Sequence, residues 1–225
     1  MQERNDSPKL KAHMSVDRYG DFVLTDAIRP SMDLQVIPQQ GYRCGVHTQK
    51  GRHEEIPILM ASVSREKLWE CFLDLFDEVA GNAEMVDVVL ETSHSMNNGE
   101  HKDWYREKID PVVLKSFLCD HEQVLLHDGC TGIAIISTDE PTEVQFDEHK
   151  LLIVYARKKY MGRFKHVMAC NGIEQKQDIK FIAEGEHMHS TEPWSEDHFE
   201  RMCYQLGARS LALRVTNEED GGDGS

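Results

Sequence analysis

The chain has 225 residues, of which 40% are hydrophobic and 29% charged, with 25 Lys and Arg against 40 Asp and Glu and a formal net charge of −15. That profile belongs to an ordinary globular chain with enough length to bury a core, and it excludes a low-complexity or fibrous sequence. A surface of that sign repels phosphate backbones and anionic headgroups, so neither non-specific nucleic-acid binding nor membrane association is expected.

No apolar run approaches the ~20 residues of a membrane span. The N-terminus is polar from its first residues and lacks the apolar segment of a secretion signal, so a cytoplasmic location is expected. The six cysteines, Cys44, Cys71, Cys119, Cys130, Cys170 and Cys203, form no Cys-x-x-Cys pair. Reduced and mainly buried thiols are the expectation in that compartment.

Residues 1–14 show no periodicity and are expected to be disordered, as is the acidic tail 216–225. Residues 58–63 read as a strand, followed by Ser64 as a helix cap and by Leu68, Phe72, Leu75, Phe76 and Val79 at helical spacing up to Gly81. Residues 85–90 are almost continuously apolar, as in a strand buried on both faces, and a polar loop follows over 92–102. Asp110 before Pro111 predicts a helix start, with Val113, Leu114, Phe117 and Leu118 as its apolar face. Residues 123–126 and 132–136 flank Asp128-Gly129, which predicts a hairpin. Strands are predicted at 143–146 and 150–156. A helix is expected from Arg157, with Tyr160, Phe164, Val167 and Met168 on one face, and an inner strand at 178–183. The last helix opens at Pro193 and Ser195 and stops at Gly207.

The order strand, helix, strand, polar loop, helix thus occurs twice, with Phe72 aligned on Phe164 and Glu91 on Glu184. The predicted fold is α+β, a mixed β-sheet with packed helices. It is built from two similar β-α-β-α halves, 15–119 and 120–215, related by an internal duplication with pseudo-two-fold symmetry.

Three constellations carry chemistry. The first is a pair of Glu-x-x-His sequences at equivalent strand ends, Glu91 to His94 and Glu184 to His187, the second extended by Glu186 and His189. Imidazole and carboxylate suit a divalent metal such as zinc, and strand ends are where open sheets place ligands. The second is Cys130 with His127, Asp128, Asp147, Glu148 and His149, a cysteine nucleophile if a base holds it as thiolate. The third is the basic run Arg157, Lys158, Lys159, Arg163 and Lys165, an anion- or partner-binding surface whose counterpart helix carries Glu66, Glu70, Asp74, Asp77 and Glu78. No phosphate-binding loop, dinucleotide fingerprint or nucleophile elbow is present. The leading functional expectation is a soluble binding or regulatory protein acting through its surface, on a protein partner or as a homo-oligomer. The alternative is a metal-dependent hydrolase using the Glu-x-x-His pairs.

Overall fold

The computed structural model describes residues 8–48, 55–81, 83–94 and 101–210. In chain order these form α1 (Pro8–Met14), the short strands β1 (Arg18–Tyr19), β2 (Phe22–Val23) and β3 (Ile28–Pro30), then β4 (Gly41–Thr48), β5 (Glu55–Ser62) and α2 (Arg65–Ala80). There follow β6 (Val86–Thr92), β7 (Lys102–Ile109), α3 (Pro111–Asp120), α4 (Glu122–His127), β8 (Thr131–Ser137), β9 (Thr142–Phe146) and β10 (Leu151–Ala156). The chain continues with α5 (Met161–Cys170), a 3-10 turn at Ile182–Glu184, β11 (His187–His189), α6 (Ser195–Leu206) and β12 (Arg209–Ser210).

Eight strands form one sheet in the order β12-β7-β6-β8-β9-β10-β5-β4, and each pairing in it is antiparallel. The sheet is therefore antiparallel and not mixed. The strand-helix-strand unit β5-α2-β6 does join two strands of the same direction, because four antiparallel steps separate them. Three strands lie between, however, so β5 and β6 never pair. The internal duplication is not confirmed. After α2 the chain enters the sheet as β6, whereas after α5 residues 178–181 run as loop into the 3-10 turn and the next strand, β11, pairs with β3 outside the main sheet.

Helices α2 to α6 cover one face. In α2 the side chains of Leu68, Cys71, Phe72, Leu75, Phe76 and Val79 recur at helical spacing and are buried. They pack with Leu114, Leu118, Phe164, Phe199 and Met202 of the other helices onto Leu59, Leu90, Ile133, Ile135, Phe146 and Val154 of the sheet. On the opposite face, Ile179 and Phe181 cover Leu151 and Ile153. Asp110 caps α3 as its position before Pro111 predicts, its carboxylate accepting from the amides of Val112 and Val113.

Several local readings are corrected. Residues 122–127 form a helix rather than the first strand of a hairpin, with Val124, Leu125 and Leu126 all buried. A continuous apolar run of that length looks alike in either state. β7 begins at Lys102, where the predicted polar loop ends, and fills residues for which no element was predicted; α5 starts at Met161 instead of Arg157, and Pro8–Met14 is helical. Residues 1–7 and the tail 216–225 lie outside the described residues. All six cysteines are free, yet only Cys71 and Cys203 are buried, while Cys119 and Cys170 are exposed. Among the described residues no helix is long and apolar enough to cross a membrane.

One end of the sheet gathers the chemistry. Thr92 at the end of β6 pairs with Thr131 at the start of β8. The β9–β10 turn, residues 147–150, emerges beside them, because β9 pairs with β8 and β10 with β9. The β3–β11 ribbon is laid against this end by backbone hydrogen bonds, Gly129 N donating to Ser190 O (2.8 Å) and Ser190 N to Ala27 O (2.8 Å). Only glycine fits at position 129, since a Cβ there would lie 2.2 Å from Ala27 O.

Candidate metal centre

His149 is placed by the β9–β10 turn. Lys150 N donates to Asp147 O (3.0 Å) and Leu151 N to Asp147 Oδ1 (2.7 Å), which closes the turn with Lys150 at φ 61°. A left-handed lysine costs on the order of 1 kcal/mol, a strain the surrounding contacts must hold. His187 and His189 sit two residues apart on β11, so both side chains leave the same face of the ribbon. The three rings form a triangle with centroids 4.9, 5.0 and 5.0 Å apart.

Each ring is gripped at one nitrogen. His149 Nδ1 lies 3.1 Å from Asp147 Oδ2, His187 Nδ1 is 2.7 Å from Gly185 O, and His189 Nδ1 bonds Gly129 O. Carbonyl oxygens only accept, so His187 and His189 each donate from Nδ1, and in a neutral imidazole Nε2 then carries the lone pair. Those two Nε2 atoms face each other at 3.1 Å. Two lone pairs at that distance repel unless a proton or cation lies between them. About 3.3 Å separates two nitrogens that each lie about 2.0–2.1 Å from one tetrahedral zinc ion. One ligand nitrogen from each of His149, His187 and His189 falls within 4.8 Å of the others.

The surroundings are acidic. Glu148 accepts from Ser93 Oγ (2.7 Å) and lies 3.4 Å from His101 Nε2, with its side chain 12% exposed. Burial lowers the His149 pKa, but the Asp147 hydrogen bond, with the Asp147 and Glu148 charges, outweighs it and the net shift is upward. For His189 burial prevails and the shift is downward. Lys150 is buried below the turn, its Nζ donating to Thr131 O (2.8 Å), and burial pushes its pKa down to about 8.

A second group lies on the other side of the Asp128–Cys130 turn. His94 Nε2 meets Asp128 Oδ2 at 2.8 Å, both side chains being almost fully buried. The same carboxylate accepts from Thr131 Oγ1 and Cys130 N, and the Thr191 side chain stabilises its charge. Burial disfavours its charge, but the His94 and Thr131 hydrogen bonds prevail, and its pKa is lowered. Cys130 belongs to this group by distance. Its thiol is raised by burial and by the Asp128 and Glu148 charges against a Ser93 hydrogen bond, the opposite of what a thiolate nucleophile needs. His127, the other base considered for it, pairs with Asp26 (2.9 Å).

Of the residues read from the sequence, the structure brings His187 and His189 together and adds His149. His94 falls in the neighbouring group. Glu184 is drawn off by Arg43 (2.6 Å) and by Phe181 N, whose amide donates to it (2.8 Å). Glu91 lies mid-sheet opposite Asp103, its pKa raised by burial and by that neighbour. Glu186 N donates to Gln35 Oε1. In the basic run, Arg163 binds Glu140 (2.6 Å) and approaches Glu78 of α2 (3.7 Å), so the basic and acidic helices meet within the chain. Arg157, Lys158 and Lys159 are exposed, Lys159 lying over the Tyr160 ring, and the charge of Lys165 acts on Cys44.

The chain matches no protein-family model, no curated protein and no solved structure in the comparisons made.

Proposed function

We propose that His149, His187 and His189 bind one zinc-type divalent metal with a position open to solvent, and that the protein is a metal-dependent hydrolase. One observation carries this reading: three imidazoles converge, each gripped at one nitrogen by a carbonyl or carboxylate, and two of them face each other through Nε2 at 3.1 Å. Such partners fix the tautomer and aim the free nitrogen in histidine metal sites. An all-nitrogen donor set favours zinc, copper, nickel or iron over magnesium or calcium. Three protein ligands on a partly exposed surface leave the fourth position for water, which a bound zinc ion makes acidic near neutral pH. We assign the proton-accepting role there to Glu148, whose charge acts on both His149 and His189.

The test is elemental analysis of protein purified without a histidine tag, followed by turnover of a panel of activated esters and phosphoesters. One zinc per chain, lost in His187→Ala, supports the site. Glu148→Gln is expected to keep the metal and lose about 100-fold or more in turnover. Absence of metal after zinc loading overturns the reading.

A binding role through the surface is favoured by a separate observation. Val112 and Val113 at the start of α3 are 78% and 59% exposed, and Val112 borders a cleft of about 330 Å³ against Phe76 and Ala80 of α2. If this face joins two copies, Val112→Glu lowers the sedimentation coefficient of the wild-type assembly. A monomeric wild type removes self-association.

A further inference from the structure

We propose that Asp128, held by His94, is a positioning residue for the metal ligand His189; this rests on the metal reading above and extends it to the buried group beside it. The Gly129 carbonyl that fixes the His189 tautomer belongs to the turn Asp128–Cys130. That turn has no regular ladder to hold it, since β8 begins only at Thr131. Backbone bonds from Gly129 N to Ser190 O (2.8 Å) and from Ser93 N to Cys130 O (3.0 Å) hold its edges, and within it the Asp128 carboxylate accepts from Cys130 N and Thr131 Oγ1. The Thr191 side chain, two residues beyond His189, also stabilises its charge, so one buried carboxylate faces both the turn and the segment carrying the ligand.

His94 completes the clamp. Its Nε2 donates to Asp128 Oδ2, and its own amide donates to Thr92 Oγ1 (3.1 Å), tying the carboxylate to the end of β6. Gly129 N to Ser190 O then registers the turn on the ribbon between His189 and Thr191. The path from the sheet to the ligand is therefore Thr92, His94, Asp128, the Gly129 carbonyl and His189 Nδ1, without a gap. Loosening Asp128 lets the Gly129 carbonyl rotate away, and His189 loses the partner that keeps its proton off the nitrogen facing His187.

The experiment uses Asp128→Asn and the milder Thr191→Val in the full chain, with two readouts. In metal-free protein, nitrogen-15 NMR of the imidazoles reports the His189 tautomer. Zinc affinity by competition with a chromophoric chelator, with the cobalt(II) electronic spectrum, reports the loaded site. The expected result is a wild-type His189 protonated at Nδ1, mixed tautomers in Asp128→Asn, a zinc affinity lower by about 10–100-fold and a shifted cobalt spectrum. Thr191→Val moves each in the same direction by less. If wild type shows the Nδ1 tautomer and Asp128→Asn loses it, but neither binds zinc, the positioning stands and the metal reading falls. An unchanged tautomer and unchanged zinc affinity in both variants overturns the positioning role.

Discussion

Two groups of metal-ligating side chains flank one turn and behave in opposite ways. In His94, Asp128 and Cys130 the imidazole nitrogen and the carboxylate answer each other, the carboxylate takes further protein donors, and the side chains of His94 and Asp128 are almost fully buried. In His149, His187 and His189, among the described residues, only one nitrogen of each ring has a hydrogen-bonding carbonyl or carboxylate, and the cluster is half open to solvent. Proximity of ligand-type side chains is common to both, so proximity does not distinguish a metal site. What distinguishes it is the arrangement of lone pairs: satisfied within the protein in the first group, and turned on one another in the second.

The contrast makes opposite predictions for stability and metal. Removing the imidazole of His94 leaves the Asp128 charge buried with one fewer partner. His94→Ala is therefore expected to lower the unfolding free energy of the metal-free protein by about 3 kcal/mol or more, read by urea denaturation. His187→Ala removes no such partner and is expected to change that quantity by less than about 1 kcal/mol. Zinc reverses the ranking. His187→Ala loses a ligand and more than about 100-fold in affinity, whereas His94→Ala stays within the roughly 10–100-fold range of an outer partner.

Gly129→Ala tests the shared turn. A methyl group aimed at Ala27 O at 2.2 Å forces the turn and ribbon apart, and a destabilisation of about 1–3 kcal/mol is expected together with weaker zinc binding. Retained stability and affinity would show that the two groups are not joined there.

The smallest effect is a slope. Lys150 titrates near 8 in the folded protein and at its ordinary 10.5 when unfolded, so between those values the unfolded chain holds more protons and stability rises with pH. Cys71 and Cys203, pushed up to about 12 by burial, act oppositely above 9. The difference between wild type and Lys150→Met isolates the lysine, at no more than about 1.4 kcal/mol per pH unit.

Much of the frame was legible in the residues. The stripe from Leu68 to Val79, the Asp110-Pro111 start and Gly207 at φ 68° act as their chemistry dictates. β7 was not, because Trp104 and Tyr105 sit side by side between Lys102-Asp103 and Arg106-Glu107-Lys108 with no apolar–polar alternation, and in this strand only Ile109 is buried. The candidate site was legible by half. His187 and His189 stand out as neighbours on one strand face, but His149 lies 38 residues away and joins them only because β11 folds back along β3 to the β9–β10 turn. Nor does sequence spacing show that Arg43, 141 residues before Glu184, takes that carboxylate away.

The most direct test is anomalous diffraction at the zinc edge from crystals of the zinc-loaded protein. A single peak about 2.0–2.1 Å from one nitrogen of each of His149, His187 and His189, with none at His94, Asp128 and Cys130, is the expected result. A peak at the buried group, or none at the three imidazoles, would contradict it.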